Sequence, residues 1–274
     1  MRGSLFPVIV SPMKKTESSF LSRWWLLIAI VVIVTAIVLF FLTGFRIGPG
    51  ASIVRVGTLV LEDVPAGASV YVDEAYSRTS GGGLVRIGML PGNHVVIVSV
   101  EGAQPWNELI TIASDAETIA RPIIIPVKVT VAPIPAEDTA KAAADVSKTK
   151  LPTLQAPLTL AGGCALVYVS GKNIVAEAST TPTCTPPPYL CVEEGCGPTA
   201  VMTPVENINS VLPYPGRDDV LVISVGQTLF VLELDPRAPQ FFAPLLRGTN
   251  PRAASWSDGS VVVYSDQKLY VVNL

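Results

Sequence analysis

Hydrophobic and polar positions along this chain fall into three regimes. The first is an unbroken apolar run. Trp24 to Phe45 is 22 residues without a charge, centred on Leu26-Leu27-Ile28-Ala29-Ile30-Val31-Val32-Ile33-Val34. At the helical rise per residue the run is about 33 Å long, enough for a hydrocarbon core of about 30 Å. β-branched residues are weak helix formers in water, but lipid enforces the helix because the backbone must satisfy itself internally. Trp24 and Trp25 stand at one end, where indoles favour the headgroup zone, and Phe45 marks the other. A buried core helix is the competing reading, and the run is too long and too apolar on every side for it. The second regime, residues 53–131, and the third, 159–274, are short strand-like alternations separated by turn residues. Residues 132–158 between them show no apolar period.

Flanking charge orients the span. Arg2, Lys14, Lys15 and Arg23 precede it with Glu17 as the only acid, so residues 1–23 are expected to be a cytoplasmic tail. A cleaved signal peptide would have a shorter apolar region and a small-residue cleavage site. Here the run is longer and closes Leu42-Thr43-Gly44-Phe45-Arg46, so residues 24–45 read as an uncleaved signal anchor in the cell membrane. All four cysteines, Cys164, Cys184, Cys191 and Cys196, then lie outside, where an even number implies disulfides in one of three connectivities. Zinc needs close pairs such as C-x-x-C, and the spacings here are wider.

After a Gly48-Pro49-Gly50 hinge, strand candidates recur at Gly57–Glu62, Ser69–Asp73, Leu84–Ile87, His94–Val100, Glu108–Ile112 and Ile123–Val131. Pro65-Ala66-Gly67, Gly81-Gly82-Gly83 and Pro91-Gly92-Asn93 supply turns, which together predict a small β-sandwich over 53–131. Two segments carry a family resemblance. Val64-Pro65-Ala66-Gly67-Ala68-Ser69-Val70-Tyr71-Val72-Asp73 resembles the signature of PEGA domains, with Ala66 where the family name has Glu. Leu90-Pro91-Gly92-Asn93-His94-Val95-Val96-Ile97-Val98 resembles their second signature. The PEGA-like module covers about 57–127 and rests on Pro65, Gly67, Ala68, Asp73, Pro91 and Gly92. The resemblance implies an exported structural or interaction module without catalytic residues. His94, the only histidine, reads as a structural residue at a strand edge. Asp73-Glu74 reads as a solvated turn, because no D-x-D-x-D-G calcium loop surrounds it.

Residues 132–158 read as a linker, semi-extended at its prolines, with a short helical turn at Ala140–Ala144. Ser147-Lys148-Thr149-Lys150 matches S-x-x-K, but the companion motifs of that chemistry are missing. Beyond it a repeat emerges. Tyr214 to Ser224 matches Trp256 to Ser265, each continues into a second strand, and Tyr214 and Trp256 are 42 residues apart. The period expected of a four-stranded blade is about 40–45 residues. Ala165–Ser170 and Ile174–Ala176 fit the same template, with a Cys/Pro-rich insertion after them. These units resemble β-propeller blades of the WD40 and Tol-translocation type, although Trp256-Ser257-Asp258-Gly259 lacks the usual proline. Three hairpins are fewer than the four to eight blades of a closed ring. The alternatives are therefore an incomplete propeller, an open β-meander, or closure between chains through free β edges.

Composition narrows the function classes. Hydrophobic residues make up 49% and charged residues only 15%, and mean hydropathy is +0.49. The 24 prolines argue against a helical bundle. Net charge is −3, which excludes a phosphate-reading nucleic-acid binder. No G-x-S-x-G, P-loop or metal-ligand spacing occurs, and no catalytic residue, cofactor or metal is expected. The fold class expected is mainly β: one N-terminal transmembrane helix, a PEGA-like β-sandwich and a C-terminal propeller-like or open meander region. The function expected is a membrane-anchored extracytoplasmic protein, embedded in lipid through 24–45. It would be a structural or binding module for a protein or cell-envelope polymer, with self-association through β edges. The alternatives are an extracytoplasmic sensor or assembly component, and a propeller enzyme acting on glycans through a carboxylate cluster.

Overall fold

The structure, a computed structural model, describes residues 20–47, 52–180, 184–192, 195–256 and 259–274. Most of residues 1–23, expected as a cytoplasmic tail, the Gly48-Pro49-Gly50 hinge and Ser257-Asp258 of the second repeat turn lie outside the described residues. The chain divides after Val56 into two compact units.

The first unit contains α1 (Phe20–Leu42), β1 (Phe45–Ile47) and β2 (Ile53–Arg55). From Trp24 to Leu42 the helix is long and apolar enough to cross a membrane, and none of that window is buried. It stops at Leu42, three residues before Phe45. The Thr43 hydroxyl donates to the Leu39 carbonyl, and Gly44 turns the chain at φ +83°, a conformation glycine takes without penalty. Phe45 therefore belongs to β1, with its ring stacked on Phe40 at 5.4 Å. Arg46 donates to the Phe41 carbonyl, at the helix end that carries partial negative charge. Residues 53–55, grouped with the sandwich on sequence, pair here with 45–47 instead.

The second unit opens with seven strands: β3 (Gly57–Val64), β4 (Ser69–Val72), β5 (Ala75–Thr79), β6 (Gly83–Met89), β7 (Gly92–Ser99), β8 (Trp106–Ile112) and β9 (Glu117–Ala120). They form two sheets, ordered β6-β3-β9 and β5-β4-β7-β8. Leu59, Leu61, Val85 and Ile87 of one sheet share a core with Val70, Val96, Val98, Trp106 and Ile110 of the other. The strand expected at Ile123–Val131 is absent. Pro122 precedes it and Pro126 interrupts it, and neither donates a ladder hydrogen bond, so Ile123 and Ile125 are buried in the core without being part of a strand. The sandwich is completed instead by β9, which pairs parallel to β3.

The segment read as a linker is structured. It holds β10 (Val131–Pro133) and α2 (Thr139–Lys148). Ala142 and Val146, one turn apart, are the buried face of α2. A two-residue apolar stripe is too narrow to register as a period in sequence.

Three four-stranded antiparallel sheets follow. The first joins β11 (Leu158–Leu160), β12 (Ala165–Ser170), β13 (Asn173–Ala178) and β16 (Thr199–Met202). Between β13 and β16 the insertion carries a small hairpin, β14 (Cys191–Val192) and β15 (Gly195–Cys196). The middle sheet joins β17 (Ile208–Pro213), β18 (Val220–Val225), β19 (Thr228–Glu233) and β20 (Phe242–Arg247). The last joins β21 (Arg252–Ser255), β22 (Val261–Ser265) and β23 (Lys268–Val272), with β10 pairing with β23 as its outer strand. The central hairpins turn at equivalent residue pairs, Gly171-Lys172, Gly226-Gln227 and Asp266-Gln267. Such two-residue loops need positive φ, which Gly171, Gly226, Asp266 and Gln267 adopt.

Burial explains the sequence texture of the middle sheet. Every residue of β18 is buried. Leu221 and Ile223 pack with the first sheet, whereas Val220 and Val222 pack with the last sheet and the sandwich core. A strand covered on both faces has no polar side, so Val220-Leu221-Val222-Ile223 reads as a continuous apolar run. In the last sheet Val261 and Val263 face that shared core, and Val262 faces α2. A close approach also fixes the start of β3. A Cβ on Gly57 would lie 2.2 Å from the Ala113 carbonyl oxygen and 2.5 Å from the Ile112 side chain. Gly57→Ala should therefore destabilise the protein by roughly 1–3 kcal/mol. Thermal unfolding of the detergent-solubilised chain measures this, and an unchanged midpoint would contradict the close approach.

Candidate functional site

The residues singled out in the sequence resolve into separate structural roles. Cys164 bonds Cys184, and Cys191 bonds Cys196 across the β14–β15 hairpin. No described cysteine is free. Pro65, Gly67 and Ala68 form the turn between β3 and β4: Ala68 N–H donates to Pro65 O, Gly67 N–H donates to Ser80 O, and Ala68 is fully buried. Pro91 and Gly92 open β7, with Gly92 at φ +140°. Asp73 and Glu74 both take positive φ at the β4–β5 turn. The Asp73 carboxylate joins segments 64–73 and 90–98, because it accepts the Val95 N–H at 3.0 Å and contacts His94 Nδ1 at 2.7 Å. His94 Nε2 lies 2.8 Å from the Leu90 carbonyl, so both ring nitrogens are engaged by acceptors. Trp24 and Trp25 are exposed at the start of the apolar helix. Ser147 is exposed on α2 and donates to the Ala144 carbonyl.

The chemistry concentrates elsewhere, where the sandwich meets the middle sheet. Strand β8 places Trp106, Glu108, Ile110 and Ile112 on one face by alternation, and Trp106 is fully buried. Glu108 is thus an acid in an inward-facing row. Opposite it stand Glu233, at the end of β19, and Asp235, which are 4% and 6% exposed. Asp219 precedes β18. Two guanidiniums hold two of these acids in bidentate pairs. Arg217 Nε and Nη2 donate to Asp219 at 2.7 and 2.6 Å, and Arg237 Nε and Nη2 donate to Asp235 at 3.0 and 2.5 Å. Arg217 Nη2 also donates to the Arg121 carbonyl at 2.9 Å, a direct bond between the end of the sandwich and the β17–β18 turn. A cleft of about 280 Å³ opens on this junction, lined in part by Glu62, Glu108, Arg121, Arg217, Asp218 and Asp219.

Arg217 and Arg237 are committed to Asp219 and Asp235, and Arg121 to Glu62 at 3.3 Å. Glu108 and Glu233 are left without a cation of their own. Burial, then the charges of Asp235 and Asp219, pushes Glu108 up to about 7, against the opposing pull of Arg237 and Arg217. Burial, then Glu108 and Asp219, pushes Glu233 well above the carboxylate range. The nearby Trp106 indole favours the Glu233 anion, yet neither Trp106 Nε1 nor Glu233 Oε2 completes a hydrogen bond. Burial opposes the charge of Arg217, but its bond to Asp219 and the charges of Asp219 and Glu233 keep it firmly cationic. Tyr189 lies within the influence of these acids, and burial together with Asp235, Asp219 and Glu233 holds its phenol in the neutral form. The two disulfides place it: Tyr189 lies between Cys184 and Cys191, and its neighbour Leu190 is buried in the core between the first and middle sheets.

Sequence reasoning missed this cluster. One signal was present, since Trp106-Asn107-Glu108-Leu109-Ile110-Thr111-Ile112 puts Glu108 in register with the apolar set. The partners were not readable, because they come from strands of a different sheet. Among the described residues, no three of His, Cys, Asp and Glu converge as a metal-ligand set.

Asp235 is 7% exposed at its side chain, so its charge depends on Arg237. Arg237→Met should destabilise the chain toward the lower end of about 3–5 kcal/mol, because it strands a buried carboxylate. Adding Asp235→Asn should recover most of the loss in chemical denaturation, and equal stability of the single and parent chains would refute the dependence. Compared with known proteins, the chain matches no protein-family model and no curated protein.

Proposed function

We propose that this chain is a single-pass membrane protein of the cell membrane, with its N-terminus in the cytoplasm. Its β-rich unit works outside as a structural or binding module for a protein or cell-envelope polymer. The observation that carries the proposal is α1. Its large apolar side chains from Trp24 to Leu42 are almost all exposed, between 43% and 76%, and Leu42 is the extreme. Water penalises such a surface, whereas lipid removes the penalty. The cations before the helix favour a cytoplasmic N-terminus. Both disulfides lie in the second unit, in keeping with an oxidising compartment beyond the membrane.

The architecture of the second unit fits a rigid platform better than modules on a flexible string. Sandwich residues and residues of the middle and last sheets contribute to one hydrophobic core. The PEGA-like reading of the sandwich draws support from its two turn segments being linked through Asp73 and His94. The propeller-like reading draws support from three successive four-stranded antiparallel sheets whose central hairpins have equivalent turns, the last completed by β10.

Protease added to intact cells should degrade the region after Arg46 and spare the tail. Protection of the β unit in intact cells, with digestion only after permeabilisation, would overturn the orientation. Alkylation of the denatured chain should add mass at four thiols only after reduction, and labelling without reductant would contradict the disulfide assignment.

A further inference from the structure

We propose that Glu108 and Glu233 form a proton-operated latch between the sandwich and the middle sheet, held closed while the pair carries protons and loosened as both carboxyls ionise. The inference concerns the second unit alone and does not depend on the orientation of the membrane helix.

The geometry sets the conditions for a latch. Glu108 belongs to the sandwich through β8, and Glu233 belongs to the middle sheet through β19. Their surroundings supply little compensating charge. From the middle sheet and its loops the groups facing them are Asp219, Asp235, Arg217 and Arg237, and from the sandwich Arg121 lines the same cleft but is paired with Glu62 at 3.3 Å and Asp63 at 3.7 Å. From the disulfide-pinned segment comes neutral Tyr189, itself beside Asp218, and from β8 comes Trp106. Arg217 and Arg237 are already bound bidentately by Asp219 and Asp235. Ionising Glu108 and Glu233 would therefore bury two further negative charges across the junction with no free guanidinium to meet them. A like-charge pair in a low-dielectric contact is strongly repulsive, and water entry is the available relief. Trp106 Nε1 and Glu233 Oε2 mark where that water would go, because both are buried and unbonded.

The direction of the pH response follows. Glu108 is raised from its ordinary value of 4.5 to about 7 by burial, then by Asp235 and Asp219, and Glu233 is raised well above 4.5 by burial, then by Glu108 and Asp219. A carboxyl with a raised folded value binds its proton more tightly when folded. Its contribution to stability is complete below about pH 4.5 and is lost as pH rises through 7. A structural acid paired only with cations would show the opposite trend, losing stability as pH falls.

Hydrogen exchange of the full chain in nanodiscs tests the latch, compared between pH 5.5 and 8.5 after correction for the intrinsic exchange rate. Protection in peptides covering 106–112 and 228–235 should fall on the order of tenfold at the higher pH. Glu108→Gln and Glu233→Gln should each shrink that step, because an amide keeps the hydrogen-bonding shape and cannot ionise. Unchanged wild-type protection across the range would overturn the proposal, as would a step of full size in either variant. Isotope-edited infrared spectroscopy of the wild-type chain provides a readout that needs no substitution. A glutamic acid carbonyl band at pH 5.5 that disappears by pH 8.5 supports the latch. A chain whose glutamates are all ionised at pH 5.5 refutes it.

Discussion

The second unit depends on one strand, β18, having no solvent face. Its sheet packs on the first sheet through one face and on the last sheet and the sandwich core through the other. Val220, Leu221, Val222 and Ile223 are all fully buried, and each such side chain contributes about 1.5–3 kcal/mol relative to exposure. Because both faces are occupied, the sheets to either side cannot move independently of it. The sandwich, which would otherwise be a small domain of its own, is drawn into the same core. Its stability is coupled to that of residues far along the chain.

The ends of the stack are finished by elements that precede it in sequence. Strand β10 supplies the outer strand of the last sheet, and α2 lays Ala142 and Val146 over the face formed by Ala254 and Val262. An open edge and an open apolar face are both aggregation hazards, and this one segment covers an edge and a face together. Lys141 lies over the Trp256 ring at 4.7 Å, so the polar side of the short helix is also used. A Pro- and Ala-rich stretch without periodicity thus serves as a clamp.

The polar junction is the counterpart of that tight core. An acid in the inward row of β8, at the edge of its sheet, disfavours pairing with a foreign strand. It also introduces a group whose charge the interior tolerates poorly. The junction holds two bidentate arginine pairs and two acids whose values burial raises. The segment carrying Tyr189 is bounded by the two disulfides and lies beside the same acids.

Local patterns were enough for much of this architecture. The apolar run announced α1, alternation announced most strands, and Gly and Pro placed the turns. The mainly β class with one N-terminal helix follows from those periods, because each is set by backbone geometry over a few residues. Glu108 stands in the inward row of the same alternation, a signal that sequence reasoning missed. Tertiary structure decided the rest. Phe45 fell outside the helix because Gly44 turned the chain, and Ile123–Ile125 lost its ladder to flanking prolines. The cysteine connectivity, the docking of α2 and the meeting of Glu108 with Glu233 all required distant segments to converge. Sequence records which side of a strand a residue faces; only packing decides what stands opposite, and therefore whether a carboxyl there keeps its proton.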